Sequence, residues 1–170
     1  MRLSTKFLVK QLRERLVRDA ATAARSGQGA RDVAQSSSEI AEKREDARST
    51  IEFANLAHAE AKRVRGLQDA IQALDLTPTQ TIFDERSPVG LGAIVEAASE
   101  DLAGFYSKTF VLLPAGAGTE LTGPDGDGII SVVTPASPVG RAMMGKRVGD
   151  IAEATVRGEP TEWEILEVWS

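Results

Sequence analysis

The sequence predicts an α+β chain: an N-terminal antiparallel α-helical coiled-coil hairpin followed by an antiparallel β-sheet domain with one short helix. Three observations carry this. No proline falls between Leu3 and Leu76, and apolar residues recur there in steps of three and four. After Leu76 the chain turns to short β-branched runs separated by glycine, proline and aspartate. Between two of those runs, SPVGRAMMG (residues 137–145) breaks the strand pattern, with proline near its start and glycine at its end, as a short helix does.

The helical part holds two seams. Val9, Leu12, Leu16, Ala20 and Ala23 form the first; Phe53, Ala57, Ala61, Val64, Leu67, Ile71 and Leu74 form the second. Each is narrow and alanine-rich, which suits two helices packed on each other and not burial on every side. Arms of about 30 residues extend roughly 45 Å, so the hairpin is expected to protrude. Its turn is expected between Ser26 and Ser38, where Gly27 and Gly29 each weaken a helix by about 1 kcal/mol relative to alanine. Ser36 and Glu39 stand at capping-box spacing, which predicts a helix start at Ser36.

Pro78 and Pro88 bound a linker, giving expected segments 1–76 (hairpin), 77–88 (linker) and 89–170 (sheet domain). In the last of these, GAIVEA, SKTFVLLP, DGIISVVT, DIAEATVR and TEWEILEV read as five strands.

Composition removes several function classes. There is no cysteine, which excludes disulfides, thiolate metal sites and thiol nucleophiles and is compatible with a reducing cytoplasm. The single histidine, His58, rules out a multi-histidine metal centre within this chain. The basic N-terminus interrupts its apolar residues with Lys10, Arg13, Glu14 and Arg15, so neither a signal-peptide core nor a membrane span is expected. PDGDG (residues 124–128) resembles the start of a calcium loop, but the twelfth position from Asp125 is Ala136 where a glutamate is needed, leaving a tight turn. PAGAGTE lacks the lysine of a phosphate loop.

Charge is uneven. Residues 1–36 carry eight Lys/Arg against three acids, and residues 75–170 carry six against fifteen. The basic helix is either a solvated face or a surface for nucleic acid or an acidic groove. SSSEIAEKRED (residues 36–46) gathers Glu39, Glu42, Glu45 and Asp46. Helix-end electrostatics explains acids in a first turn; the alternative is a half-site for a divalent ion. Two carboxylates three residues apart share a helical face and can hold Mg²⁺ only if a partner supplies the remaining ligands.

ISVVTPASPVGRAMMGKRVGD (residues 130–150), followed by TEWEILEV, resembles the signature of the Gre family of bacterial transcription elongation factors. LRERL (residues 12–16) is similar to that family's early helical motif, and EIAEKRED (residues 39–46) lies without gaps on its hairpin tip. FVLLPAGAGTEL resembles the divergent Gre-like branch. The resemblance implies an FKBP-like C-terminal domain that grips RNA polymerase, and a hairpin that enters the polymerase's secondary channel. It implies that Glu39 and Glu42 help hold a catalytic Mg²⁺ shared with the polymerase, with cleavage of backtracked RNA performed by the polymerase, so the chain is an accessory factor and not itself an enzyme. Ser137, Pro138 and Arg141 fall on the segment that faces the polymerase, and Arg13 and Arg31 are candidates to steer nascent RNA. A cytoplasmic monomer is expected. Glu39 stands where the family has aspartate, Lys43 where it has asparagine, and Asp46 where it has an aromatic. The alternative is therefore a Gre-like competitor that occupies the channel without stimulating cleavage.

Overall fold

The computed structural model describes all residues except 1, 2, 41–43, 102, 103 and 127; the side chains of 37–40, 44–47 and 101 are also outside the description. Two long helices come first, α1 (Thr5–Ile40) and α2 (Arg44–Asp75). Then follow β1 (Ile94–Asp101), β2 (Gly104–Leu112), β3 (Glu120–Thr122), β4 (Ile129–Val133), α3 (Pro138–Met143), β5 (Ile151–Val156) and β6 (Glu159–Trp169). By compactness the chain divides into Glu14–Gln72 and a second unit made of Met1–Arg13 with Ala73–Ser170.

In the first unit the helices run antiparallel. Gly27 meets Glu60 and Ala57 of α2. Gly27 is thirteen residues before the end of α1 and Glu60 sixteen after the start of α2, and helices can touch that far from their junction only by running back alongside each other. Ala23, Ala30 and Ala57 are buried in the seam, while Ala20, Phe53, Ala61, Val64 and Leu67 are half-buried. Small residues let the two backbones approach, as the alanine-rich pattern predicts.

The expected turn between residues 26 and 38 is corrected: that whole stretch is inside α1. Ser36 starts no helix. Its hydroxyl donates back to the carbonyls of Asp32 (2.8 Å) and Val33 (3.1 Å), the arrangement of a serine inside a helix. Neither glycine breaks α1: at Gly27 the close contact with Glu60 of α2 outweighs intrinsic propensity, and Gly29 is carried within the same helix facing open space.

In the second unit the six strands form one sheet in the order β3-β4-β2-β1-β6-β5. The expected antiparallel sheet is mixed: β2 and β4 pair in parallel, Thr109 beside Ile130 and Leu112 beside Val133, and all other pairs are antiparallel. The cause is β3, a strand of three residues too short for its pattern to be read. It takes the outer place against β4, so β4 returns beside β2 in the same direction.

One sheet face carries the main core: Val95, Ala97, Phe110, Leu112, Trp163 and Ile165, covered by Met143 of α3. Tyr106 and Phe110 meet Trp163 edge-on at 5.6 and 5.0 Å, and Trp169 is half-buried. The first turns of α1 belong to this unit as well. Thr5 Oγ1 donates to the Gly92 carbonyl, Gln11 Nε2 donates to the Thr122 carbonyl, and Leu12 fills the space left by Gly116, where a β-carbon would lie 2.7 Å from it. Compactness therefore cuts inside both helices, whereas the changes of composition at residues 76 and 88 do not. PDGDG begins a turn, closed by the Gly126 N–H donating to the Gly123 carbonyl.

Candidate functional site

The SPVGRAMMG segment forms α3, and its local chemistry explains its residue order. Ser137 is the N-cap. Its Oγ accepts from the N–H of Gly140 (3.2 Å) and of Thr134 (3.0 Å) and donates to the Thr134 carbonyl (2.8 Å). One hydroxyl thus closes the turn before the helix and satisfies a free donor of its first turn. Pro138 occupies the first turn, where an N–H is dispensable. Gly140 is sterically required: a β-carbon there would stand 2.1 Å from the Thr134 carbonyl oxygen. The Gly-Asp step further on is also structural, since Asp150 Oδ2 accepts from the Arg147 N–H at 2.8 Å.

Ser137 is therefore engaged with backbone, while Pro138 and Arg141 are exposed. Arg141 donates to the Ala136 carbonyl at 3.1 Å, which holds its guanidinium over the start of α3. Pro138, Arg141 and Ala142 form one wall of a shallow groove of about 370 Å³, with residues 153–155 of edge strand β5 as the other. The three residues picked from the sequence thus share one short surface, two by exposure and one by shaping it. Met144, just past α3, is 40% exposed. The apolar doublet MM gave no hint of which methionine is buried; Met143 is.

The acidic stretch is divided. Glu39 stands one residue before the end of α1, Glu45 and Asp46 are in the first turn of α2, and Glu42 lies outside the described residues. Helix-end electrostatics accounts for Glu45 and Asp46 but not for Glu39, which sits at a helix C-terminus, where the macrodipole disfavours an acid. The last turn of α1 holds no basic residue to offset it. A carboxylate added to the negative end of a helix makes a place that attracts cations.

Of the two arginines proposed for RNA, Arg13 is paired within its own unit. Its Nε lies 2.7 Å from Asp75 Oδ1, and that hydrogen bond, with the charge attraction added, raises the guanidinium pKa above its ordinary value. Arg31 is exposed on α1, and no hydrogen bond or ion pair engages it among the described residues. His58 is exposed on α2.

Residues 119–170 match the family model described as the transcription elongation factor GreA/GreB C-terminal domain. The match spans β3 to β6 and the Ser137–Gly140 cap. That segment is similar to the C-terminal domain of the Gre factors. Solved structures similar to this chain include GreA factor homolog 1 (Gfh1) of Thermus thermophilus, 24% identical over 92% of this chain and 93% of that one, with a TM-score of 0.34. A structure described as the transcription factor Gfh1 is 26% identical over 92% of each chain, with a TM-score of 0.37. Gfh1 of Thermus aquaticus is 21% identical over 92% and 93%, with a TM-score of 0.36. No curated protein matches.

Proposed function

We propose that this Gre-like chain is an accessory factor of bacterial RNA polymerase. The observation that carries the reading is the family match over residues 119–170, whose capped α3 presents Pro138 and Arg141. In this reading the groove between α3 and β5 docks on the polymerase, and α1 and α2 enter its secondary channel. Glu39 and Glu42 then contribute carboxylates to a Mg²⁺ otherwise held by the polymerase. The donor set suits that role: Mg²⁺ accepts one or two protein carboxylates and fills its other positions with water or phosphate. The placement of Glu39 at the carbonyl end of α1 favours a cation there. The ion supplies Lewis-acid chemistry when bound, and the reaction belongs to the polymerase. In this reading exposed Arg31 meets RNA phosphates, whereas Arg13 is engaged by Asp75.

The test uses stalled, backtracked elongation complexes. Shortened RNA that disappears with Glu39→Ala plus Glu42→Ala supports the reading; shortening that survives both substitutions removes the metal-holding role. Tight binding without shortening assigns the chain instead to a channel competitor, the outcome favoured by Lys43 in place of the family's asparagine.

A further inference from the structure

The sheet face opposite the main core holds an unexplained arrangement. Strand register places Glu96 and Glu100 of β1, Glu162, Glu164 and Glu167 of β6 and Glu153 of β5 on this one face. These three strands contain no lysine or arginine. No hydrogen bond or ion pair among the described residues engages the six carboxylates. Two pairs stand directly opposite across neighbouring strands, Glu96 with Glu167 and Glu153 with Glu162. Like charges in that relation destabilise a sheet. A local choice that opposes the fold, repeated twice on one surface, marks a surface shaped for something outside the chain.

Apolar residues sit among these acids. Phe105 is 82% exposed and Ile151 51% exposed, and with Pro160 they help line a concavity of about 830 Å³ walled by Glu100, Glu162 and Glu164. We propose that this face is a docking surface for a lysine- and arginine-rich segment of a partner protein. The charge pattern excludes nucleic acid, which is itself anionic. Among the described residues no three of these carboxylates converge as a metal site would require. The exposed apolar groups select a polypeptide: arginine stacks on Phe105, and the aliphatic stems of lysine and arginine cover Ile151 and Pro160 while their charges meet the glutamates. The inference does not depend on the polymerase reading, and its surface meets the α3 groove only at Glu153, which borders both.

The experiment measures anisotropy of a fluorescein-labelled peptide of lysine, arginine and leucine titrated with the full chain, at low and at physiological salt. Glu96→Gln with Glu167→Gln is expected to weaken binding about tenfold and to raise the melting temperature by about 1 to 3 °C by relieving the repulsion. Phe105→Ala is expected to weaken binding with the melting temperature unchanged. The control Glu14→Gln with Glu85→Gln alters net charge equally at other sites and is expected to leave binding within about twofold. Equal weakening by the control, no binding at physiological salt, or a lower melting temperature for the glutamate pair overturns the proposal. So does a salt-sensitive dimer in the absence of peptide that blocks its binding, which gives the face to the basic helix of a second copy.

Discussion

Gly27 of α1 rests directly on Glu60 of α2: a β-carbon on Gly27 would come within 3.2 Å of the Glu60 Cβ. Gly29, two residues on, faces open space with nothing within 4 Å. Alanine at Gly29 therefore gains helix propensity with no opposing contact and should stabilise the protein by about 1 kcal/mol. Alanine at Gly27 gains the same propensity but must displace α2, and should be neutral or destabilising. Thermal melting of the two variants separates them, and a Gly27→Ala protein as stable as Gly29→Ala would mean that the helices do not meet there.

The α3 cap predicts a graded series. Ser137→Ala loses three hydrogen bonds made by one hydroxyl and should cost about 1 to 2 kcal/mol. Ser137→Thr should restore most of it. Gly140→Ala forces a methyl into the Thr134 carbonyl and should cost more, about 3 kcal/mol, or prevent folding of this unit. Urea unfolding of the soluble variants checks the order.

Arg141→Glu should leave stability nearly unchanged, because the side chain is exposed and makes a single hydrogen bond to Ala136. It should weaken binding to purified RNA polymerase by about tenfold or more, since reversing a charge within a docking surface adds repulsion to the lost contact. Normal binding by Arg141→Glu would move the docking surface away from α3.

The two α1 arginines should behave differently. Arg31→Ala should lower crosslinking to RNA in a polymerase complex, and Arg13→Ala should not, because Arg13 is engaged by Asp75. Asp75→Ala, which releases Arg13, should if anything increase crosslinking at that position.

Acid should act on the turn before β1. The Ser87 hydroxyl donates to Asp84 Oδ1 at 2.6 Å, and the Arg86 N–H donates to the same oxygen. The Ser87 hydrogen bond is the largest influence holding the Asp84 pKa below its ordinary 3.8; desolvation opposes it, and the Arg86 N–H adds to it. A depressed carboxylate pKa gives stability that is complete above the unfolded value and is lost as pH falls through the folded one. Stability of the native chain should thus fall below about pH 4 more steeply than that of Asp84→Asn, measured as melting temperature against pH.

Much of this architecture is legible in the sequence. The seam residues Ala23, Ala57 and Leu74 are buried because helical spacing fixes a face regardless of tertiary detail. Five strands follow from β-branched runs, and α3 from the Ser-Pro start. The hidden parts are those set by contact at a distance. Gly27 reads as a helix breaker until Glu60 is seen beside it, and Ser36 reads as a cap until its hydroxyl is seen bonded backward. The three residues of β3 carry no periodicity, and without them the parallel pairing of β2 and β4 cannot be inferred. The α3 groove was visible through Pro138 and Arg141, but its second wall required the placement of β5. The alternation Glu162, Trp163, Glu164, Ile165 does signal a strand with one acidic face; that Glu96 and Glu153 join it depends on register.

Thr5 and Gln11 reach partners 87 and 111 residues later in the chain. During synthesis the first turns of α1 emerge long before Gly92, Gly116 and Thr122 exist. The opening segment must wait for the rest, and closing so large a loop is slow even where its equilibrium penalty is small. Deleting the first dozen residues would then do more than shorten a helix: it would leave an incompletely folded sheet at the other end of the gene product.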